Sequence, residues 1–359
     1  MDNAPSAPAL VVEPRTERLR FTATGGEYFR IWIVNLLLTI VTLGIYSAWA
    51  KVRKQRYFHG HTHLAGSTFD YHARPIAILK GRVIAAILFG LYLLATESSP
   101  IFLLVVVGMY LLIAPWIVLQ ALRFRARMSS WRGLRFGFGG TLGESYVVFA
   151  LLTLLVPLTL GALLPYWWYR RQRFVLGYLR FGATQCSFRA RVGSYYRVFG
   201  VLLAIVIGLS VIAGVLILMV SLAATLSGMR VPEDGEGAPW VITVGAYVVA
   251  LLFGSVVNGC LRAMLGNVAI DGLRLGSHRI LARFDAAKLV GIQLTNTLLV
   301  LVTLGLYTPW AQIRLQKYLV ERIRLEVDGD LDSFVTAQSE SLSATGGEMA
   351  DVFDIDLGF

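Results

Sequence analysis

Long apolar runs alternate along the chain with short segments rich in arginine and lysine. A run of roughly 20 apolar residues suffices to cross a bilayer. Seven such runs are read at 31–50, 76–95, 101–122, 146–169, 198–225, 240–261 and 289–311. The second carries Lys80 and Arg82, which are tolerable if they snorkel from its first turns.

Three of these runs end alike. "TLGIYSAWAKVRKQRYF" begins at Thr42, "TLGALLPYWWYRRQRFV" at Thr159 and "TLGLYTPWAQIRLQKYL" at Thr303. Aligned without a gap, they share Thr-Leu-Gly, an aromatic, then Arg53, Arg170 and Arg314, and a second cation at Arg56, Arg173 and Lys317. Self-similarity of this kind marks a repeated structural unit. The glycines Gly44, Gly161 and Gly305 suit the left-handed C′ position that ends a helix. Pro165 and Pro309 stand where a new helix begins, and Ser47 and Thr308 are candidate caps. Each copy therefore reads as helix, glycine break, second helix, over 26–58, 143–175 and 287–319. Glu27 and Glu144 fall at the start of the first helix in two copies; the third has Lys288 there.

Composition and charge fix the class. Of 359 residues 56% are hydrophobic and 15% charged, against about 25% charged in a soluble domain. This is the composition of an integral membrane protein. Net charge +11 fits loops facing anionic headgroups better than nucleic acid, because the basic stretches alternate with the apolar runs. Residues 123–144 hold five arginines and 170–197 hold seven, whereas 96–99 has no cation and 228–239 is acidic. If all seven runs crossed, the arginine-rich 170–197 loop would lie outside, against the positive-inside rule. The conflict disappears if the three TLG segments enter and leave on the cytoplasmic side while 76–122 and 198–261 form two spanning pairs. A merely kinked crossing helix is the alternative.

The fold expected is an all-α multi-pass membrane protein with three pseudo-repeated helix–Gly-break–helix elements and a small cytoplasmic β layer made from the loops. Strand character is read at 18–23, 68–73, 134–138, 185–192, 279–284 and 322–327, where polar and apolar residues alternate. Residues 1–17 read as a disordered tail, 18–336 as one membrane domain, and 337–359 as an acidic C-terminal tail with 339–347 as linker. The tail's apolar anchors suit docking on the chain's own basic face or on a partner.

Candidate chemistry is sparse. His59, His61 and His63 would share a strand face, but the ungapped counterparts of His61 and His63 are Tyr178, Arg180, Arg322 and Arg324, so a headgroup-facing role outweighs a metal site. "GFGGTLG" misses the phosphate-loop spacing by one residue. Cys186 and Cys260 offer neither disulfide framework nor metal spacing. No acid, base, nucleophile or metal set assembles, so an enzyme is not expected, nor any cofactor. Asn35, Thr39, Thr42, Asn258, Asn296 and Thr303 are the candidates for a narrow polar path. Arg53, Arg56, Arg170, Arg173, Arg314 and Lys317 are the candidates for contact with anionic headgroups or a ligand.

The stretch "GGEYFRIWIVNLLLTIVTLGIYSAWAKVRKQRYFHGHTHLAGSTFDYHA" resembles the opening of the bacterial inner-membrane YjgN family, and "TLGLYTPWA" fits it too. The resemblance covers most of the chain and implies a multi-pass inner-membrane protein, with no established activity and no catalytic residues to carry over. On the residues themselves, a transport or permeation protein built on broken helices is favoured, with both termini cytoplasmic. The alternative is a lipid-headgroup-binding scaffold that recruits partners.

Overall fold

The computed structural model describes residues 15–226 and 240–344. Of the tail expected at 1–17, residues 15–17 form the start of a strand; the rest of it, the acidic loop at 228–239 and the tail from 345 onward lie outside the described residues.

Short strands alternate with helical hairpins. Strands β1 (Arg15–Arg18) and β2 (Arg20–Phe21) lead into α1 (Gly25–Val41) and α2 (Ser47–Gly60). Then come β3 (Thr62–Leu64), β4 (Ser67–Tyr71) and the long helices α3 (Pro75–Ser98) and α4 (Pro100–Arg127). Strands β5 (Ser129–Trp131) and β6 (Leu134–Phe138) precede α5 (Leu142–Tyr146), a π-helical turn (Val147–Leu151), α6 (Leu152–Leu158) and α7 (Leu164–Gly177). Strands β7 (Leu179–Phe181) and β8 (Thr184–Phe188) lead to α8 (Val192–Leu226) and α9 (Trp240–Asp271). Last are β9 (Leu273–Leu275), β10 (His278–Ala282), α10 (Ala286–Val302), α11 (Thr308–Glu321), β11 (Ile323–Val327) and α12 (Leu331–Ala344).

The strands form one antiparallel sheet in the order β1-β11-β10-β9-β8-β7-β6-β5-β4-β3-β2. Its two end strands are separated in the chain only by Leu19, whose N–H donates to Ile323 O at 3.4 Å. The sheet thus returns on itself as an eleven-stranded ring. The expected β layer was too small, and the fold is not all-α. The physical reason is that each helical hairpin brings two chain ends side by side. Their backbone groups need partners, and pairing with the neighbouring hairpin's ends supplies them.

This pairing also settles the hairpins. β2 pairs with β3, β4 with β5, β6 with β7, β8 with β9 and β10 with β11. Both ends of every helical hairpin therefore meet at adjacent strands of one ring. Among the described residues four helical stretches are long and apolar enough to cross a membrane: Pro75–Ser98, Pro100–Arg127, Val192–Val215 and Tyr247–Asp271. The TLG segments are shorter. Helices α1 and α10 have 17 residues and α2, α7 and α11 have 14 each. At 1.5 Å per residue the longer arm reaches about 25 Å, short of a hydrocarbon core of about 30 Å. The runs at 31–50, 146–169 and 289–311 each fold as two helical arms joined at the TLG turn.

Five apolar seams join the hairpins in a circle. Val52 and Ile78 join the first TLG hairpin to α3 and α4 with Phe124, and Leu119, Val148 and Phe174 join α4 to the second. Tyr195, Val198 and Leu265 join α8 and α9 to Trp168 and Tyr169 of α7. Ala263 and Leu289 join α9 to the third hairpin, and Tyr28, Phe58 and Ile313 close the circle from the third to the first. The ring has its own core, where Trp131, Leu134 and Phe181 meet Phe334 of α12. The expected linker at 339–347 is helical as far as Ala344, because Gln338 Oε1 accepts the N–H groups of Ala183 and Thr184 (2.9 and 3.1 Å) and fastens α12 to the β7–β8 turn.

Candidate functional site

The three TLG turns share one backbone path. Leu43, Leu160 and Leu304 adopt φ of 50, 50 and 49°, and the following glycines adopt 92, 86 and 92°. Gly44 N donates to Thr39 O at 2.7 Å, Gly161 N to Val156 O at 2.9 Å and Gly305 N to Val300 O at 2.7 Å. This is the long bond of a Schellman motif. The C′ position therefore belongs to the leucine, and the glycine is the residue after it. Two successive left-handed residues reverse the chain, and only the second needs to lack a Cβ.

Every amide across the turn is satisfied. Thr42, Leu43, Ile45, Ser47 and Ala48 donate to backbone carbonyls. Tyr46 N finds the hydroxyl of Thr42 at 2.9 Å. Leu163 N finds Thr159 Oγ1 at 3.3 Å, and Tyr307 N finds Thr303 Oγ1 at 3.0 Å. Ser47 and Thr308 do not accept from the helix start as expected. Their hydroxyls donate back to Gly44 O and Gly305 O, and the capping falls to the threonine of the motif. Pro165 and Pro309 occupy the first turn of α7 and α11. The tips are apolar and outward: Leu43, Leu160 and Leu304 are 95%, 98% and 93% exposed. Backbone polar groups survive in hydrocarbon only when internally paired, and these are.

The six candidate polar-path residues stand apart. Thr39, Thr42 and Thr303 donate to Asn35 O, Leu38 O and Leu299 O of their own helices. Asn35 and Asn296 are buried at matching positions of α1 and α10, and Asn296 Nδ2 donates to Ala311 O at 3.2 Å. The Oδ1 atoms of both have no protein partner. Asn258 is exposed on α9 and accepts from Arg262 Nε and Gln293 Nε2.

The candidate cations face outward on the second helices. Arg53, Arg56, Arg173, Arg314 and Lys317 are exposed, and Arg170 is half-buried. Arg56 donates to Ala73 O at 3.3 Å, Arg170 to Tyr166 Oη at 3.5 Å and Arg314 to Thr295 Oγ1 at 2.8 Å. Arg170 and Arg173 border a small cavity with Glu144 and Tyr178, where the hydrogen bond to Glu144 holds the phenol of Tyr178 above its ordinary range.

The histidines do not share a strand face. His59 and His61 close α2 and bond to Gln55 O and Tyr57 O, His63 on β3 meets Thr22 Oγ1, and His72 meets Ser130 Oγ. No group of three metal-ligating side chains occurs among the described residues. Burial pushes the thiol of Cys186 up to about 11.

Sequence reasoning missed one device. Thr24, Thr141 and Asp285 cap the first helices by accepting the N–H of Glu27, Glu144 and Lys288. The hydroxyls of Tyr57 and Tyr318 reach back to the N–H of Thr24 (3.2 Å) and Asp285 (2.9 Å), tying second helix to first. The available signal was the capping spacing at Thr24–Glu27 and Thr141–Glu144.

The chain is 27% identical over 363 aligned positions to an inner membrane protein YjgN of Salmonella typhimurium, covering 90% of this chain and 91% of that one. It is 33% identical over 147 positions to the inner membrane protein YjgN of Escherichia coli K12, covering 39% of this chain and 36% of the relative. No solved structure matches it. Residues 16–352 match the model of a family described as bacterial protein of unknown function (DUF898), and the chain belongs to that family.

Proposed function

We propose that this inner-membrane protein is a lipid-binding scaffold that wedges three re-entrant hairpins into one leaflet and holds anionic headgroups at their bases. The observation that carries this reading is the TLG tip: apolar, almost fully exposed, and with every amide internally bonded. Such a tip is built for lipid, whereas a permeation path needs water at the break. On this reading the three TLG segments are copies of one unit, and the ring with both termini lies in the cytoplasm. The abundance of arginine in the strand-bearing loops supports that orientation. Arg53, Arg56, Arg170, Arg173, Arg314 and Lys317 then stand at headgroup level. The acidic residues beyond 344 are suited to dock on this basic face or to recruit a partner. No catalytic role is part of this reading.

A transport path is the second reading. It is favoured by Asn35 and Asn296, whose buried Oδ1 atoms lack protein partners in two facing hairpins. Spin labels on single cysteines at Leu43, Leu160 and Leu304 separate the two, with Cys186 and Cys260 replaced beforehand. The scaffold predicts quenching by oxygen and protection from a water-soluble nickel chelate at all three tips. Chelate access at any tip would overturn it in favour of transport.

A further inference from the structure

The seam between the first TLG hairpin and the first spanning pair carries charges at three positions where its counterpart has none. Helices α2, α3 and α4 pack there through Val52, Ile78 and Phe124, and Arg82 on α3 and Arg125 on α4 lie within electrostatic reach of the exposed Lys51 on α2. Arg82 stands in the second turn of a membrane-crossing helix, and instead of snorkelling it donates to Ser47 Oγ at the head of α2. Arg125 also lies within electrostatic range of Tyr71 on β4. Among the described residues none of the three is ion-paired with a carboxylate.

The second half of the molecule shows that the fold does not require this. Helices α7, α8 and α9 follow the same element order as α2, α3 and α4, with corresponding starts at Ser47 and Leu164 and at Pro75 and Val192, and corresponding ends at Arg127 and Asp271. Counting from those ends, Lys51, Arg82 and Arg125 correspond to Trp168, Phe199 and Ala269. There Trp168 and Phe199 pack at 6.2 Å between ring centroids and Ala269 is buried. At these three positions one seam has two packed rings and a buried alanine, with the Arg171 guanidinium over Trp168; the other has three cations. Like charges gathered so close to a low-dielectric medium repel unless an anion joins them.

We propose that the outer face of the α2–α3–α4 seam, where Val52, Ile78 and Phe124 pack together, binds a phosphate group, with Lys51, Arg82 and Arg125 as its ligands. Guanidinium groups chelate phosphate oxygens through paired N–H donors, and the lysine adds a point charge. The proposal deepens the headgroup-binding reading and rests on it for the source of the phosphate, a lipid of the leaflet that surrounds the seam.

The test is the thermal midpoint of the delipidated full-length protein in neutral detergent. The midpoint is titrated with phosphatidylglycerol, with zwitterionic phosphatidylcholine and, separately, with inorganic phosphate. Wild type should show a saturable upward shift with phosphatidylglycerol. Arg82→Gln should weaken it about tenfold, the lower end for a lost charged hydrogen bond. The triple variant Lys51→Trp, Arg82→Phe, Arg125→Ala installs the residues used by the other half and should abolish it. A saturable shift with inorganic phosphate, lost in the triple variant, keeps the site and makes a free phosphate its ligand. An unchanged phosphatidylglycerol titration in both variants overturns the proposal. If the triple variant does not fold, Arg82→Gln and Arg125→Gln decide alone. The control Arg53→Gln, Arg170→Gln, Arg314→Gln separates the two readings: loss of the shift there alone removes this site but keeps headgroup binding, and no effect in any variant removes both.

Discussion

The hydroxyl of Thr42 accepts the backbone N–H of Tyr46 at 2.9 Å while donating its own proton to Leu38 O at 2.7 Å. One side chain thereby satisfies a donor of the second helix and stays satisfied itself, at the point where the chain reverses. Thr303 does the same for Tyr307 at 3.0 Å. Thr42→Val keeps the shape and leaves the Tyr46 amide unpaired, at a cost of about 1–3 kcal/mol. Thr42→Ser keeps the hydroxyl and should stay near wild type in thermal unfolding in detergent. Thr42→Val with wild-type stability would mean that water reaches the turn.

Gly25 lies against Trp310, with a built Cβ only 2.2 Å from its Cδ1. Trp310 also stacks on Phe29 at 4.8 Å, so the indole wedges the third hairpin onto the first. Gly25→Ala should destabilise by about 1–3 kcal/mol through overpacking. The same change in a Trp310→Ala background should cost less, and the double-mutant cycle measures that relief. Equal costs in both backgrounds would mean that the clash is not with the indole.

The TLG hairpins were legible because one motif recurs three times, at Thr42, Thr159 and Thr303, each time between an apolar run and a basic one. Six stretches containing strands were legible too, since their strands run long enough, or sit in a long enough extended segment, to show alternation. Strands β3, β5, β7 and β9 were not, having three residues each, too few for a period of two to register. Their trace was in the turns. Ala65-Gly66 and Arg132-Gly133 have positive φ at both central residues, the I′ form that fits hairpin twist. The ring was illegible for a different reason: its closure depends on pairing strands more than 300 residues apart, such as Arg15 with Val327. The charge cluster of Lys51, Arg82 and Arg125 was hidden because three helices contribute one residue each.

Gln338 holds α12 to the ring through one oxygen shared by Ala183 N and Thr184 N. Gln338→Leu removes the acceptor from a buried position and should destabilise by about 1–3 kcal/mol. Gln338→Glu retains an acceptor for both amides and should be milder. Amide exchange at Ala183 and Thr184 reads the effect locally. Unchanged protection in Gln338→Leu would mean that α12 is not fastened at this turn.

His278 supplies a pH dependence whose sign follows from its surroundings. It is 1% exposed, its Nδ1 accepts the N–H of Asp328 at 3.1 Å, and its ring meets Phe334 of α12 edge-on at 4.6 Å. Burial pulls its pKa below the ordinary value, and the nearby Asp328 charge only partly opposes this. In the unfolded chain the imidazole takes up a proton near pH 6.5. Between that value and the lower folded one, the unfolded state holds more protons, so stability falls as pH falls. The contribution is fully present above about pH 6.5 and is lost on acidification through the folded pKa. Protonation also turns the Nδ1 acceptor into a donor facing an N–H, which should loosen α12 first. Hydrogen exchange across 331–344 should therefore accelerate between about pH 7 and 5 after correction for intrinsic rates. His278→Asn, which keeps a carbonyl acceptor without the titration, should flatten that profile. A profile equally steep in the variant would assign the pH response to other groups.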